Sequence, residues 1–202
     1  MAVITISRQF GSGGKTIGEA VANRLGYTFL DDQIIQMVAL KARVSENWVK
    51  TIEKEAGGKL LQFINGLARK SFSDRIMDDE RGDINEEIYV DLLRQIIVQI
   101  AGEGNTVILG RGSQYILQEF EGAFHVLLVA DMEHRVKFMQ DRYGLSAAKA
   151  LQTIKSEDRR RMNLYRKFGK QDYDQAHLYH LVLNMSKLRI EQACKLICDF
   201  VD

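Results

Sequence analysis

The chain has no proline in 202 residues, where average usage of about 5% leads one to expect roughly ten. Its element boundaries must therefore be read from glycines, caps and periodicity. Cysteine is also scarce. Cys194 and Cys198 are too few for a disulfide framework, so a reduced, cytoplasmic setting is expected. No stretch approaches ~20 consecutive apolar residues, which excludes a transmembrane helix on hydropathy. Met1–Ser7 has neither the basic run nor the apolar run of a signal peptide. Charge of one sign is missing too: 28 Lys+Arg against 27 Asp+Glu leave a net +1. Net charge therefore says nothing about partners, and neither nucleic acid nor a membrane is expected as one.

What is present is a chain 46% hydrophobic, long enough to bury roughly 70% of its unfolded surface as one domain. Val3–Ile6, Tyr27–Leu30, Val107–Leu109, Phe124–Ala130 and Leu181–Leu183 read as strands, being short β-branched or continuous apolar runs. Helical patterns lie between them. Ile17, Ala20, Val21 and Leu25 share one face before Gly26; isoleucines and leucines at 84, 88, 92, 96 and 100 share another. Met132–Tyr143, a segment starting at Ser146 and a final stripe of Ile190, Cys194, Ile197 and Val201 complete the set. Alternating strands and helices predict an α/β fold with a mostly parallel sheet.

The sharpest motif follows the first strand: Gly11-Ser12-Gly13-Gly14-Lys15-Thr16, running into a helix. Such glycines let successive amides turn toward phosphate oxygens, and the helix amino end adds partial positive charge. A lysine there reaches the outer phosphates, and a following threonine hydroxyl ligates magnesium. The end of the P-loop pattern is matched; its first glycine position holds Gln9. The bland alternative is a flexible glycine-rich turn, which would not also supply the strand, Lys15 and Thr16.

The segment Ile4–Gly18 with Leu25-Gly26-Tyr27 and Leu30-Asp31 resembles the P-loop nucleoside monophosphate kinases, specifically the cytidylate kinase-like family. Leu128–Arg135 and Leu181–Ser186 are similar to later stretches of that family. The resemblance implies a five-stranded parallel sheet flanked by helices. It also implies a helical acceptor-binding insert over about 33–85, a lid over about 155–175, and ATP with Mg2+ as donor and cofactor. It assigns Gly11, Ser12, Gly13, Gly14, Lys15 and Thr16 to the donor phosphates, with Thr16 on the metal. Small nucleotides are the implied substrates.

Between 155 and 170 there are seven basic residues against two acidic ones. Phosphoryl transfer needs such charge around the moving group. Three consecutive arginines cannot share one helix face. The resemblance makes Arg160 and Arg161 the lid candidates; a solvated helix face or a nucleic-acid backbone patch is the alternative. Arg111, in Gly110-Arg111-Gly112, is implied to grip the acceptor phosphate, or else is an exposed loop arginine. Asp31 and Asp32 end the second strand at the expected ligand edge, where they can orient an acceptor hydroxyl, hold magnesium through water, or simply cap the next helix. His177 and His180 read as a surface pair, and Cys194 and Cys198 as buried thiols.

The chain departs from the pattern of the family it resembles at Asp32-Gln33 and Gln36-Met37, where that family helps hold the acceptor, and at Leu109, where many of its members carry an acidic residue. Three readings result: a nucleoside monophosphate kinase, a nucleotide-binding regulatory protein without transfer, and a kinase of another small acceptor.

Overall fold

The computed structural model describes residues 2–34, 36–37, 86–169 and 174–201. Most of the expected 33–85 insert lies outside the described residues. The chain divides into two compact units, Met1–Asp31 with Ile97–Asp202, and Asp32–Ile96. In the second unit Ile34, Met37, Leu92, Leu93 and Ile96 are buried.

The first unit holds the sheet. In chain order the elements are β1 (Val3–Arg8), α1 (Gly14–Leu25), β2 (Thr28–Leu30), α2 (Glu86–Glu103, entering this unit at Ile97) and β3 (Thr106–Leu109). There follow α3 (Ser113–Ile116), β4 (Ala123–Val129), α4 (Met132–Tyr143), α5 (Ala147–Lys167), a 3-10 turn (Ala176–Leu178), β5 (Leu181–Asn184) and α6 (Ile190–Val201). The strands make one five-stranded parallel sheet, ordered β2-β3-β1-β4-β5, as the alternation predicts.

The core follows strand alternation. Ile4 and Ile6 of β1, Val107 and Leu109 of β3, and Val126 and Leu128 of β4 form one cluster with Ile17 and Val21 of α1. Ala193, Cys194, Ile197 and Cys198 of α6 complete it, so both thiols are buried and neither is in a disulfide. Apolar residues spaced three and four apart put these helix stripes on the sheet. Helix ends are set locally. Gly26 and Gly144 close α1 and α4 in the left-handed conformation, while Asp131 and Ser146 cap α4 and α5 through side-chain oxygens. No described helix is long and apolar enough to cross a membrane.

Candidate active site at the carboxyl edge of the sheet

Parallel pairing brings the strand carboxyl ends to one edge. Ile6 is level with Leu109, Arg8 with Leu128, Leu30 with Ile108 and Val129 with Asn184. The loops leaving this edge carry the glycine motif, Asp31, Gly110–Gly112 and Ala130–Asp131. In open α/β sheets this edge is where ligands sit.

Gly11 and Gly13 hold φ of 86° and 84°, which the loop needs and which glycine adopts without a Cβ penalty. Gly13 precedes α1 with no side-chain cap, and the first turn contains no acidic residue. The first amides and the positive end of the helix dipole thus present an anion site. Lys15 is exposed and Thr16 half-buried on that turn.

Ser12 is turned inward. Its amide and hydroxyl donate to the Gln9 carbonyl at 3.2 and 2.8 Å, and the hydroxyl also reaches the Leu128 carbonyl at 3.4 Å. Its side chain therefore shapes the loop and is not presented to an anion. Gln9 explains its own departure from the motif. Its Oε1 accepts from the Ala130 amide at 2.9 Å, while its own amide donates to the Leu128 carbonyl at 3.0 Å. It ties the ends of β1 and β4 together.

Phe10 is gripped on both sides of its backbone. Its amide donates to Asp158 Oδ1 at 3.0 Å, and its carbonyl accepts from Arg135 Nε at 2.8 Å. Arg135 Nη2 closes the ring on Asp158 Oδ2. The Phe10 ring packs with Met139, Ala150 and Ile154 in a small core between α4 and α5. The glycine loop is thus anchored to the helix expected to form the lid. That helix is held again at its carboxyl end: Tyr165 meets Tyr115 of α3 edge-on at 5.1 Å, and Phe168 lies against Gly112.

The arginine run resolves into different environments. The Arg160 side chain is 69% exposed and, among the described residues, pairs with Glu157 at 3.8 Å. Arg161 is 13% exposed, pairs with Asp174 at 2.8 Å and lies over the Tyr165 ring at 5.7 Å. Burial opposes its charge, but Tyr165 and Asp174 outweigh that and hold its pKa above the ordinary guanidinium value. Arg111 sits at φ 59° between Gly110 and Gly112, both also left-handed. A non-glycine residue there costs about 1–3 kcal/mol, a strain typical of ligand-binding turns.

Arg8 joins this group, although sequence reasoning assigned it no role. It is half-buried at the end of β1, and desolvation lowers its pKa; Asp31 and Tyr165 oppose that shift, and Arg111 and Arg161 add to it. The structure therefore gathers Arg8, Asp31, Arg111 and Arg161, and leaves Arg160 in solvent. Asp32 is exposed and belongs to the second unit; its carbonyl accepts from the Gln36 amide at 3.3 Å, opening a helical turn. The available signal for Arg8 was its place at the end of the first strand; Asp174 and Arg135 gave none.

The sequence matches the cytidylate kinase-like family over residues 3–187. A cytidylate kinase from Pyrobaculum calidifontis is 25% identical over 201 residues, covering 100% of this chain and 93% of that one. Among solved structures, an uncharacterized protein from Eubacterium ventriosum superposes with a TM-score of 0.67 at 18% identity, over 100% of this chain and 98% of the other. A gluconokinase from Sinorhizobium meliloti superposes at 0.51 and 12% identity, over 99% and 91%. These two likenesses are of fold.

Proposed function

The chain belongs to the cytidylate kinase-like family, and on that footing we propose that it moves the terminal phosphoryl group of ATP to a nucleoside monophosphate. One observation carries the reading. The uncapped amino end of α1, with Lys15 on its first turn, opens on the same sheet edge as the Arg111 and Arg161 guanidiniums. Donor and acceptor phosphates need such an arrangement of opposed positive groups.

In this reading the amides of the Gly11–Gly14 loop and Lys15 hold the donor phosphates. Thr16 offers a hydroxyl to magnesium. The first turn supplies no carboxylate, and among the described residues no three His, Cys, Asp or Glu gather. That donor set fits an ion bound chiefly through phosphate oxygens and water, which is the habit of magnesium. When bound, the ion neutralises phosphate charge. Arg111 holds the acceptor phosphate, Asp31 orients the acceptor, and Arg161 faces the moving group. The lid is the segment over about 155–175, of which 170–173 lie outside the described residues.

Met37 and Leu109 favour a second reading, nucleotide binding without transfer. Both are apolar and buried, 3% and 1% exposed, and neither can ligate anything. Calorimetry and a transfer screen separate the two. ATP with magnesium should bind, and Lys15→Ala should weaken it at least about tenfold, the loss of one charge-assisted contact. Incubation with CMP, UMP, dCMP or AMP should then yield a diphosphate. ATP bound with no transfer to any monophosphate selects the regulatory reading, and transfer to a sugar or another metabolite selects a different acceptor.

A further inference from the structure

We propose that Arg135, with Phe138 one turn further along α4, is a positioning residue that holds the glycine loop in its anion-binding shape before any ligand arrives. That the anion is a donor phosphate rests on the kinase reading; the support itself is read from what the loop lies on. Glycine has more backbone freedom to lose than any other residue, so a glycine-rich loop cannot hold a shape by itself. Something outside it must fix φ at 86° in Gly11 and 84° in Gly13. The stretch from the end of β4 into α4 does so, residue by residue. Gln9 is tied to Leu128 and Ala130. The Phe10 carbonyl accepts from Arg135 Nε at 2.8 Å. Gly11 lies on Arg135: a Cβ there would stand 3.1 Å from the Arg135 carbonyl oxygen and 3.2 Å from its Cβ. Gly13 lies over the Phe138 ring, its Cβ position 3.6 Å from Cε2, an ordinary contact that supports the turn without crowding it. Arg135 and Phe138 are three residues apart and so share one face of α4.

Arg135 is itself firmly placed. It is 5% exposed, and its amide donates to the Asp131 carbonyl at 3.1 Å in the first turn of α4. Its Nη2 is bound to Asp158, whose other oxygen takes the Phe10 amide. One guanidinium thus acts on the Phe10 carbonyl directly and on the Phe10 amide through Asp158. Each peptide unit is a plane in which carbonyl and following amide point opposite ways. Holding the Phe10 carbonyl toward Arg135 therefore turns the Gly11 amide away from it, and the planes on both sides of Phe10 are kept from rotating. A loop ordered in advance spares the ligand the entropy of ordering it. Arg135 acts through the backbone, so its role is positional and not that of a phosphate ligand.

Two measurements on the intact protein test this: titration of AMP-PNP, a non-hydrolysable ATP analogue, with magnesium, and amide hydrogen exchange without ligand. Arg135→Lys is the selective variant. Lysine keeps a cation for Asp158 but carries a methylene where Nε stood, so it gives up the bond to the Phe10 carbonyl. It should weaken AMP-PNP about tenfold, the scale of one hydrogen bond. The Phe10 and Ser12 amides, bonded to Asp158 and to the Gln9 carbonyl, should exchange faster. The Met185 amide just past β5, bonded to the Val129 carbonyl at 2.7 Å, should exchange as before. Phe138→Ala should move both measurements the same way, and Phe138→Leu, which refills the space under Gly13, should restore most of the loss. If Arg135→Lys does not fold, the two Phe138 variants carry the same measurements. Unchanged AMP-PNP affinity overturns the proposal, since the ligand would then shape the loop. Equal acceleration at Met185 also overturns it, by making Arg135 a stabiliser of the fold at large. So does lost affinity with unaltered exchange at Phe10 and Ser12, which would place Arg135 on the ligand itself. Failure of AMP-PNP to bind the wild type counts instead against the kinase reading; exchange at Phe10 and Ser12 then still decides whether Arg135 holds the loop.

Discussion

Arg160 and Arg161 are neighbours in sequence and differ in almost everything else. Successive helix residues point about 100° apart, so one of them faces solvent when the other faces the sheet edge. Arg160 is mostly exposed beside Glu157, while Arg161 is half-buried against Asp174 and Tyr165. Arg160→Ala should change stability by less than about 0.5 kcal/mol and barely alter turnover. Arg161→Ala should lower turnover about a hundredfold, the scale of removing one preorganised charge partner from a transition state. It should also destabilise the fold, since Asp174 loses its ion pair in a half-buried place. Steady-state kinetics and denaturant midpoints on both variants check this; equal effects would mean the helix face is misassigned. The sequence could announce an arginine cluster but not which member turns inward, because that depends on Asp174, thirteen residues away and outside any motif.

At the scale of elements, the loop and the helix after it were legible because their signals are local: a strand, left-handed glycines, then lysine and threonine on a first turn. The clamp on Phe10 was not legible. Phe10, Arg135 and Asp158 come from a loop and two helices, joined only by folding. Its consequence is mechanical. Asp158 fixes α5 to the glycine loop, so any movement of the proposed lid must hinge beyond Asp158 or carry Phe10 with it. Asp158→Ala should leave the Phe10 amide and the Arg135 guanidinium without their acceptor, destabilising the protein by about 2–4 kcal/mol. Asp158→Asn keeps an oxygen for the Phe10 amide and should recover part of that loss. ATP affinity should follow the same order, since the loop amides depend on the clamp for their position. If both variants bind ATP like the wild type, the clamp serves α5 alone.

Across the whole molecule, the five strands and their parallel order follow from β-branched runs alternating with amphipathic helices, and these were readable one by one. What had no sequence signal was the far side of the sheet from α1 and α6, where polar residues are buried among strands. His125 of β4 is 3% exposed, with Nδ1 2.7 Å from Thr5 Oγ1 of β1 and its amide donating to His180 Nδ1 at 2.9 Å. It lies inside an apolar run, which is why the run reads as a plain buried strand. The pair of His177 and His180 is exposed as expected, but His180 is also the acceptor that pins this strand.

Burial first, and the nearby His180 second, push the His125 pKa from 6.5 down to about 4. In the window between those values the unfolded chain binds a proton that the folded chain refuses, so folding stability rises with pH there. The contribution is complete above about pH 6.5 and is lost as pH falls toward 4. Between pH 7 and 5 this one group should remove up to about 2 kcal/mol. Urea unfolding followed at pH 7, 6 and 5 measures it. His125→Gln keeps a polar partner for Thr5 but cannot take up the proton. It should show a smaller fall over the same range, whatever its stability at pH 7. Parallel slopes for the wild type and His125→Gln would show that other groups set the acid sensitivity of the fold.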